Sequence, residues 1–187
     1  MSTSSNQLTE LTAQLAKHLV QRHWTVSAAE SCTGGGVAHT FTALSGSSQW
    51  FEGGFVTYSN RMKTAMLGVD SSVLETCGAV SEAVVEQMAI GALDKSGANL
   101  SVAISGVAGP DGGTVEKPVG TVWFAWAVRL QKGSLRKSSL MKQNDQVGSV
   151  GCYCELHQLK GDRLSIREQA VVIAIKGLIE QIKKTPV

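Results

Sequence analysis

No stretch of this 187-residue sequence is apolar for long enough to span a bilayer, and its first residues, Met1 to Gln7, are polar. A soluble, cytoplasmic protein with no membrane partner is therefore expected. The formal net charge is only +2, and no Lys/Arg cluster stands out beyond Arg129 to Lys142. Nucleic-acid binding thus has no electrostatic support, whereas a small phosphate-bearing ligand needs only one local pocket. Four cysteines, Cys32, Cys77, Cys152 and Cys154, are too few and too unevenly spaced for a disulfide scaffold. Cys152 and Cys154 would share one face of a strand, but with His157 as their only nearby histidine they complete no zinc site, so no metal and no cofactor are expected. Histidine is scarce too: His18 and His23 fall on the first helix, and only His39 and His157 remain. The sequence has no internal repeat and no linker, so residues 1–187 are read as a single domain.

Hydrophobic residues make up 43% and charged residues 17%, a balance that argues for a folded, fairly apolar chain. Leu8, Leu11, Leu15 and Leu19 recur at helical spacing and predict a first helix from about Asn6 to His23. A β-prone run from Thr25 then enters Glu30-Ser31-Cys32-Thr33, followed by Gly34-Gly35-Gly36 and the apolar segment Val37 to Leu44. This reads as strand, tight turn and helix start, a shape that aims N–H groups and the side chains of Ser31 and Thr33 at the end of a sheet. Phe51 to Tyr58 is a strand whose Gly53 and Gly54 suggest a bulge or a close backbone neighbour, and Ser59-Asn60 caps a helix carrying Lys63. Asp70 and Ser81-Glu82 open two further helices. Leu100 to Ser105 is a buried strand, followed by the glycine-rich loop Ser105 to Gly113 and the central strand Val119 to Val128.

Between Leu130 and Leu159 the pattern loosens, with turns expected at Lys132-Gly133, Asn144-Asp145 and Val147-Gly148, and one or two antiparallel edge strands in a peripheral arm. Asp162 caps a last helix that ends near Thr185-Pro186 and presents Arg163 and Arg167 on one face. Those arginines suit a phosphate, a neighbouring subunit or a solvated face. The alternation of helices and strands predicts a three-layer α/β/α sandwich around a mostly parallel, mixed sheet.

Neither glycine-rich loop has the Lys-Ser/Thr pair of a P-loop or the dinucleotide spacing, which excludes the commonest nucleotide machinery. Ser31 sits in no G-x-S-x-G frame, and no histidine is well placed to serve it. Lys63, with Tyr58 as a relay, is the remaining means of activating Ser31, provided burial keeps part of the amine neutral. The ordinary alternative is a solvated lysine on a short helix.

The segments Ala29-Glu30-Ser31-Cys32-Thr33-Gly34-Gly35, Gly54 to Asn60 with Lys63, Gly78-Ala79-Val80-Ser81, Ile104 to Gly113 and Lys117 to Val122 together resemble the CinA C-terminal family, the nicotinamide-nucleotide amidases. The likeness runs from the first helix to about Val128 and resumes at Gly161-Asp162-Arg163. It implies the stand-alone form of the family and hydrolysis of the carboxamide of nicotinamide mononucleotide. The products would be nicotinic acid mononucleotide and ammonia. By the same resemblance Ser31 is the nucleophile and Tyr58 and Lys63 are its catalytic partners. Glu30, Cys32, Thr33, Gly34, Gly35, Asn60, Ser105, Gly106, Ala108 and Gly109 are candidate substrate contacts. Donors in the Cys32 to Gly36 turn are candidates for the oxyanion, while either glycine-rich loop or a helix start suits the phosphate. A homo-oligomer, a dimer, is the expected assembly. Two rivals stand beside this reading: a nucleotide-binding or regulatory module without turnover, and a thiol enzyme using Cys32.

Overall fold

The computed structural model describes residues 3–130, 141–144 and 147–186. Its elements are α1 (Thr3–Arg22), β1 (Val26–Glu30), α2 (Gly36–Thr42), β2 (Phe51–Val56), α3 (Asn60–Leu67), α4 (Ser71–Cys77), α5 (Glu82–Ser96), β3 (Leu100–Gly106), β4 (Thr121–Arg129), β5 (Met141–Asn144), β6 (Val147–Gln158) and α6 (Arg163–Lys184). Short polar side chains set several helix starts. Ser59 accepts the N–H of Met62 ahead of α3, Asp70 that of Ser72 ahead of α4, and Asp162 that of Ser165 ahead of α6. The expected turn at Lys132-Gly133 lies outside the described residues.

The strands form one sheet in the order β2-β1-β3-β4-β6-β5. β1 runs parallel to β2 and β3, while β4, β6 and β5 continue antiparallel. The sheet is therefore mixed, as expected, with its parallel part confined to one half. Between β1 and β2 the register passes from Val26↔Phe51 to Ser27↔Gly53, so Glu52 is the extra residue of the anticipated bulge.

The two faces of the sheet differ in side-chain size. Val102, Ile104, Phe124 and Trp126 face α6 on one side and share a core with residues of α1 and α2, and Ile166, Ala170, Ala174, Ile175 and Leu178 bury the apolar stripe of α6 there. On the other side Ala29, Ala103, Ala125 and Ala127 lie under α5, and Ser27 and Ser101 donate to the carbonyls of Ala92 and Ala89 on that helix. Small residues let the helix come close, and the serine hydroxyls find acceptors where the contact is too tight for water.

The antiparallel strands expected within Leu130 to Leu159 are present as β6 and β5 at the end of the sheet, with one turn misplaced. Val147 and Gly148 belong to a strand, not a turn, and β6 pairs along β4 from Thr121↔Gln158 to Arg129↔Val150 while β5 takes its other edge. Cys152, Cys154 and the partly exposed Leu156 alternate with Tyr153, Glu155 and His157 along it, a period of two that glycine and polar residues obscured.

Candidate active site

Four chain segments converge beyond the C-terminal ends of β1 and β3: the turn from Ser31 to Gly35, the path from Thr57 into α3, Ala79-Val80 ahead of α5, and the loop after Gly106. With the first turn of α6 they enclose a cleft of about 190 Å³. Ser31, Cys32, Tyr58 and Lys63 line it together with Ala79, Val80, Ser105, Gly106, Ala108 and Arg163.

Lys63 is only 1% exposed. Its Nζ donates to Thr57 O at 2.8 Å, to Ser31 Oγ at 3.1 Å and to Tyr58 O at 3.3 Å. Among the described residues no carboxylate pairs with it. Loss of water pushes the amine below its ordinary value of 10.5, and the nearby Cys32 acts more weakly in the opposite sense. Carbonyl oxygens only accept, so a neutral amine would direct its two N–H bonds to Thr57 and Tyr58 and keep its lone pair for the Ser31 hydroxyl.

This contact is part of a closed ring. Lys63 holds the Thr57 carbonyl, the Thr57 N–H donates to Glu30 O at 2.8 Å, and Glu30 is bonded covalently to Ser31. The serine and its amine are thus positioned by the main chain of one residue, Thr57, between strand β2 and helix α3.

Tyr58 meets Lys63 through its backbone carbonyl rather than its phenol, and the residue, 66% exposed, borders the cleft. Lys63 reaches Ser31 directly, with no relay between them. In the Ser31 turn, Gly34 N–H donates to Ser31 O, Gly36 N–H to Thr33 O and Gly35 N–H to Glu30 Oε2. Among the described residues the N–H groups of Cys32 and Thr33 have no main-chain acceptor. The Cys32 thiol is buried, and that burial pushes it up to about 11. At neutral pH it is a protonated, weakly nucleophilic group.

Of the expected substrate contacts, Cys32, Ser105, Gly106 and Ala108 line the cleft, whereas Glu30, Thr33, Gly34, Gly35, Asn60 and Gly109 do not. Glu30 is the clearest case. Its carboxylate is fully buried and faces into the start of α2, where Gly35, Val37 and Ala38 donate to it. This also removes the start of α2 as a phosphate cradle, because those donors are already taken. Asn60 is exposed on the first turn of α3, and Thr33 is buried. Gly109 contributes its carbonyl, which accepts Arg163 Nη1 at 2.6 Å. Ser105 donates to Ala79 O and so joins two walls of the cleft. The Thr57 carbonyl and the wall residues Ala79 and Val80 were not singled out as contacts; a main-chain acceptor has no residue type to mark it.

Residues 8–182 match the profile of the CinA C-terminal domain family. The chain is 44% identical over 181 residues to a nicotinamide-nucleotide amidohydrolase PncC of Enterobacter agglomerans, covering 97% of this chain and 99% of that protein. It is 46% identical over 178 residues to the protein of the same name from Escherichia coli K12, covering 95% and 96% respectively. Among solved structures, the competence/damage inducible protein CihA from Agrobacterium tumefaciens superposes with a TM-score of 0.80 at 38% identity, over 96% of this chain and 98% of that one.

Proposed function

Since the chain belongs to the CinA C-terminal domain family, we propose that it hydrolyses the carboxamide of nicotinamide mononucleotide to nicotinic acid mononucleotide and ammonia. Two relatives that match it along almost their whole length carry the name nicotinamide-nucleotide amidohydrolase. The observation that carries the mechanism is the buried Lys63 amine, held by two carbonyls with its remaining position on Ser31 Oγ.

Ser31 Oγ attacks the amide carbon while its proton passes to the neutral Lys63 amine. The carbonyl oxygen becomes an oxyanion, for which main-chain N–H groups of the turn after Ser31 are the proposed donors. The C–N bond breaks as Lys63 returns the proton to the departing nitrogen, and ammonia leaves. Water then attacks the acyl carbon, Lys63 takes a proton from it, and the Ser31–acyl bond breaks as that proton returns to Oγ. No cofactor is needed for this balance. Tyr58, which borders the cleft, covers the reacting group rather than carrying the proton.

The cleft volume is below the roughly 300 Å³ at which drug-sized pockets begin, so it fits the pyridine ring and its amide and leaves the ribose phosphate at the rim. With the start of α2 occupied by Glu30, the phosphate belongs on the side of Gly106 and Arg163. The test is ammonia release by the purified protein from nicotinamide mononucleotide, nicotinamide riboside and free nicotinamide, beside Ser31→Ala. Release from the mononucleotide that disappears in the variant is expected. Binding of the mononucleotide without ammonia release would make the chain a non-catalytic nucleotide module.

A further inference from the structure

The residue that precedes Ser31 is an acid sealed from water. Glu30 is fully buried, and its carboxylate accepts three main-chain N–H groups: Oε2 from Gly35 at 3.0 Å and Val37 at 3.1 Å, and Oε1 from Ala38 at 2.9 Å. Burying a carboxylate is costly unless its oxygens are satisfied, so a site that keeps one demands strict geometry. Capping alone does not require it. A Ser, Thr, Asn or Asp at the cap position would serve a short helix, yet that position is Gly35, at φ 92° and with no side chain to offer.

What an acid five residues upstream adds is a bridge over the turn. The main chain of Glu30 is fixed in the sheet, paired with Val56 and Ile104. Its side chain reaches the first residues of α2. Ser31, Cys32, Thr33 and Gly34 are spanned between these two anchor points. The same bridge consumes the Gly35 N–H.

We infer that Glu30 is a positioning residue: its carboxylate holds the turn closed so that Ser31 Oγ meets Lys63 Nζ. Glu30 itself touches no substrate. The inference rests on the amidase reading for its turnover arm only, because the reactivity of Ser31 can be followed without a substrate. Glu30→Gln keeps the volume but sets an NH₂ group against N–H donors. Glu30→Ala removes the carboxylate and leaves a space that formate can enter as a separate anion.

The experiment compares the full-length wild type, Glu30→Gln and Glu30→Ala. It measures kcat and KM for ammonia release and the rate of Ser31 labelling by a fluorophosphonate, located by peptide mass spectrometry. A displacement of the nucleophile by about an ångström costs on the order of a hundredfold in rate. Glu30→Gln is therefore expected to lose about a hundredfold in kcat and in labelling, with KM little changed. Sodium formate should restore at least about a tenth of both rates to Glu30→Ala, where sodium chloride at equal ionic strength does not. Full kcat and full labelling in folded Glu30→Gln would overturn the inference. So would variants that fail to fold in formate as well as chloride, since Glu30 would then serve the fold and not the turn. If the wild type labels at Ser31 but releases no ammonia, the amidase reading falls while labelling still decides the role of Glu30. If it does neither, both fall.

Discussion

Arg163 and Arg167, one turn apart on α6, hold two different loops: Arg163 Nη1 donates to Gly109 O at 2.6 Å and Arg167 Nη2 to Thr33 O at 2.9 Å. The last helix of the chain thereby joins the second glycine-rich loop to the Ser31 turn. Neither side chain is merely a solvated charge. Arg163 also lines the cleft, whereas Arg167 is placed behind the turn with its Nε buried and without an acceptor.

The two arginines should therefore separate on substitution. Arg163→Ala is expected to raise KM for nicotinamide mononucleotide while leaving the poorer turnover of the riboside unchanged, because the riboside has no phosphate to lose. Arg167→Ala should instead cost stability of about 1–3 kcal/mol, the usual range when a buried hydrogen bond is broken. Kinetics on both substrates, with urea denaturation, check the pair; equal effects of Arg163→Ala on the two substrates would remove its phosphate role.

Lys63→Arg should lower kcat by about 10²–10⁴-fold, the usual contribution of a positioned general base. Guanidinium keeps the charge but holds its proton throughout the accessible range. In the wild type, kcat/KM should rise with pH along a limb lying below the ordinary lysine value of 10.5, because burial lowers this amine. Retention of most of the rate by Lys63→Arg would make Lys63 a positioning charge.

The same depression has a sign in stability. Below the folded-state pKa of Lys63 both states hold the proton, and the folded state carries the full cost of burying the charge. Between that value and 10.5 the folded protein has released the proton while the unfolded chain still binds it, so stability rises with pH. The stability of the wild type minus that of Lys63→Met should therefore increase as pH rises through this window. Urea midpoints of both proteins from pH 6 to 10 measure it, and a flat difference contradicts the shift.

Cys32→Ala is expected to remain active, and iodoacetamide should leave wild-type turnover intact. The thiol is buried and raised to about 11, so little thiolate is present at neutral pH. Inactivation that maps to Cys32 and is absent in Cys32→Ala would revive a thiol mechanism.

Gly177→Ala tests the packing under α6. Trp126 donates its Nε1 proton to Ala174 O at 2.9 Å, and a Cβ on Gly177 would stand 2.2 Å from the indole ring. Overpacking of this kind costs about 1–3 kcal/mol. Thermal unfolding should shift down accordingly, with near-ultraviolet circular dichroism reporting the disturbed tryptophan.

Much of this architecture is legible in the residues because its signals are local. Ser59, Asp70 and Asp162 mark helix starts by the same hydroxyl or carboxylate contact that they make in space. The glycines around the Ser31 turn likewise announce a bend. Other features depend on partners far along the chain. Glu30 beside a glycine-rich turn reads as a ligand contact, and only the fold shows its oxygens turned away from the cleft. Tyr58 reads as a proton relay because its hydroxyl is the chemical group a sequence displays, while the structure uses its carbonyl. The extent of β6 is obscured for a related reason: its alternation of Cys, Tyr, Glu, Leu and His has no uniformly apolar face until β4 lies beside it.

The grip of two main-chain carbonyls on the lysine bears on how such a centre changes over time or is transplanted. Thr57 and Tyr58 contribute oxygens that any amino acid would supply. Substitution at either position can alter the cleft mouth and so the choice of amide while the amine stays in register with the serine. A designer grafting this pair into another scaffold would have to reproduce the course of the strand end rather than its residue letters.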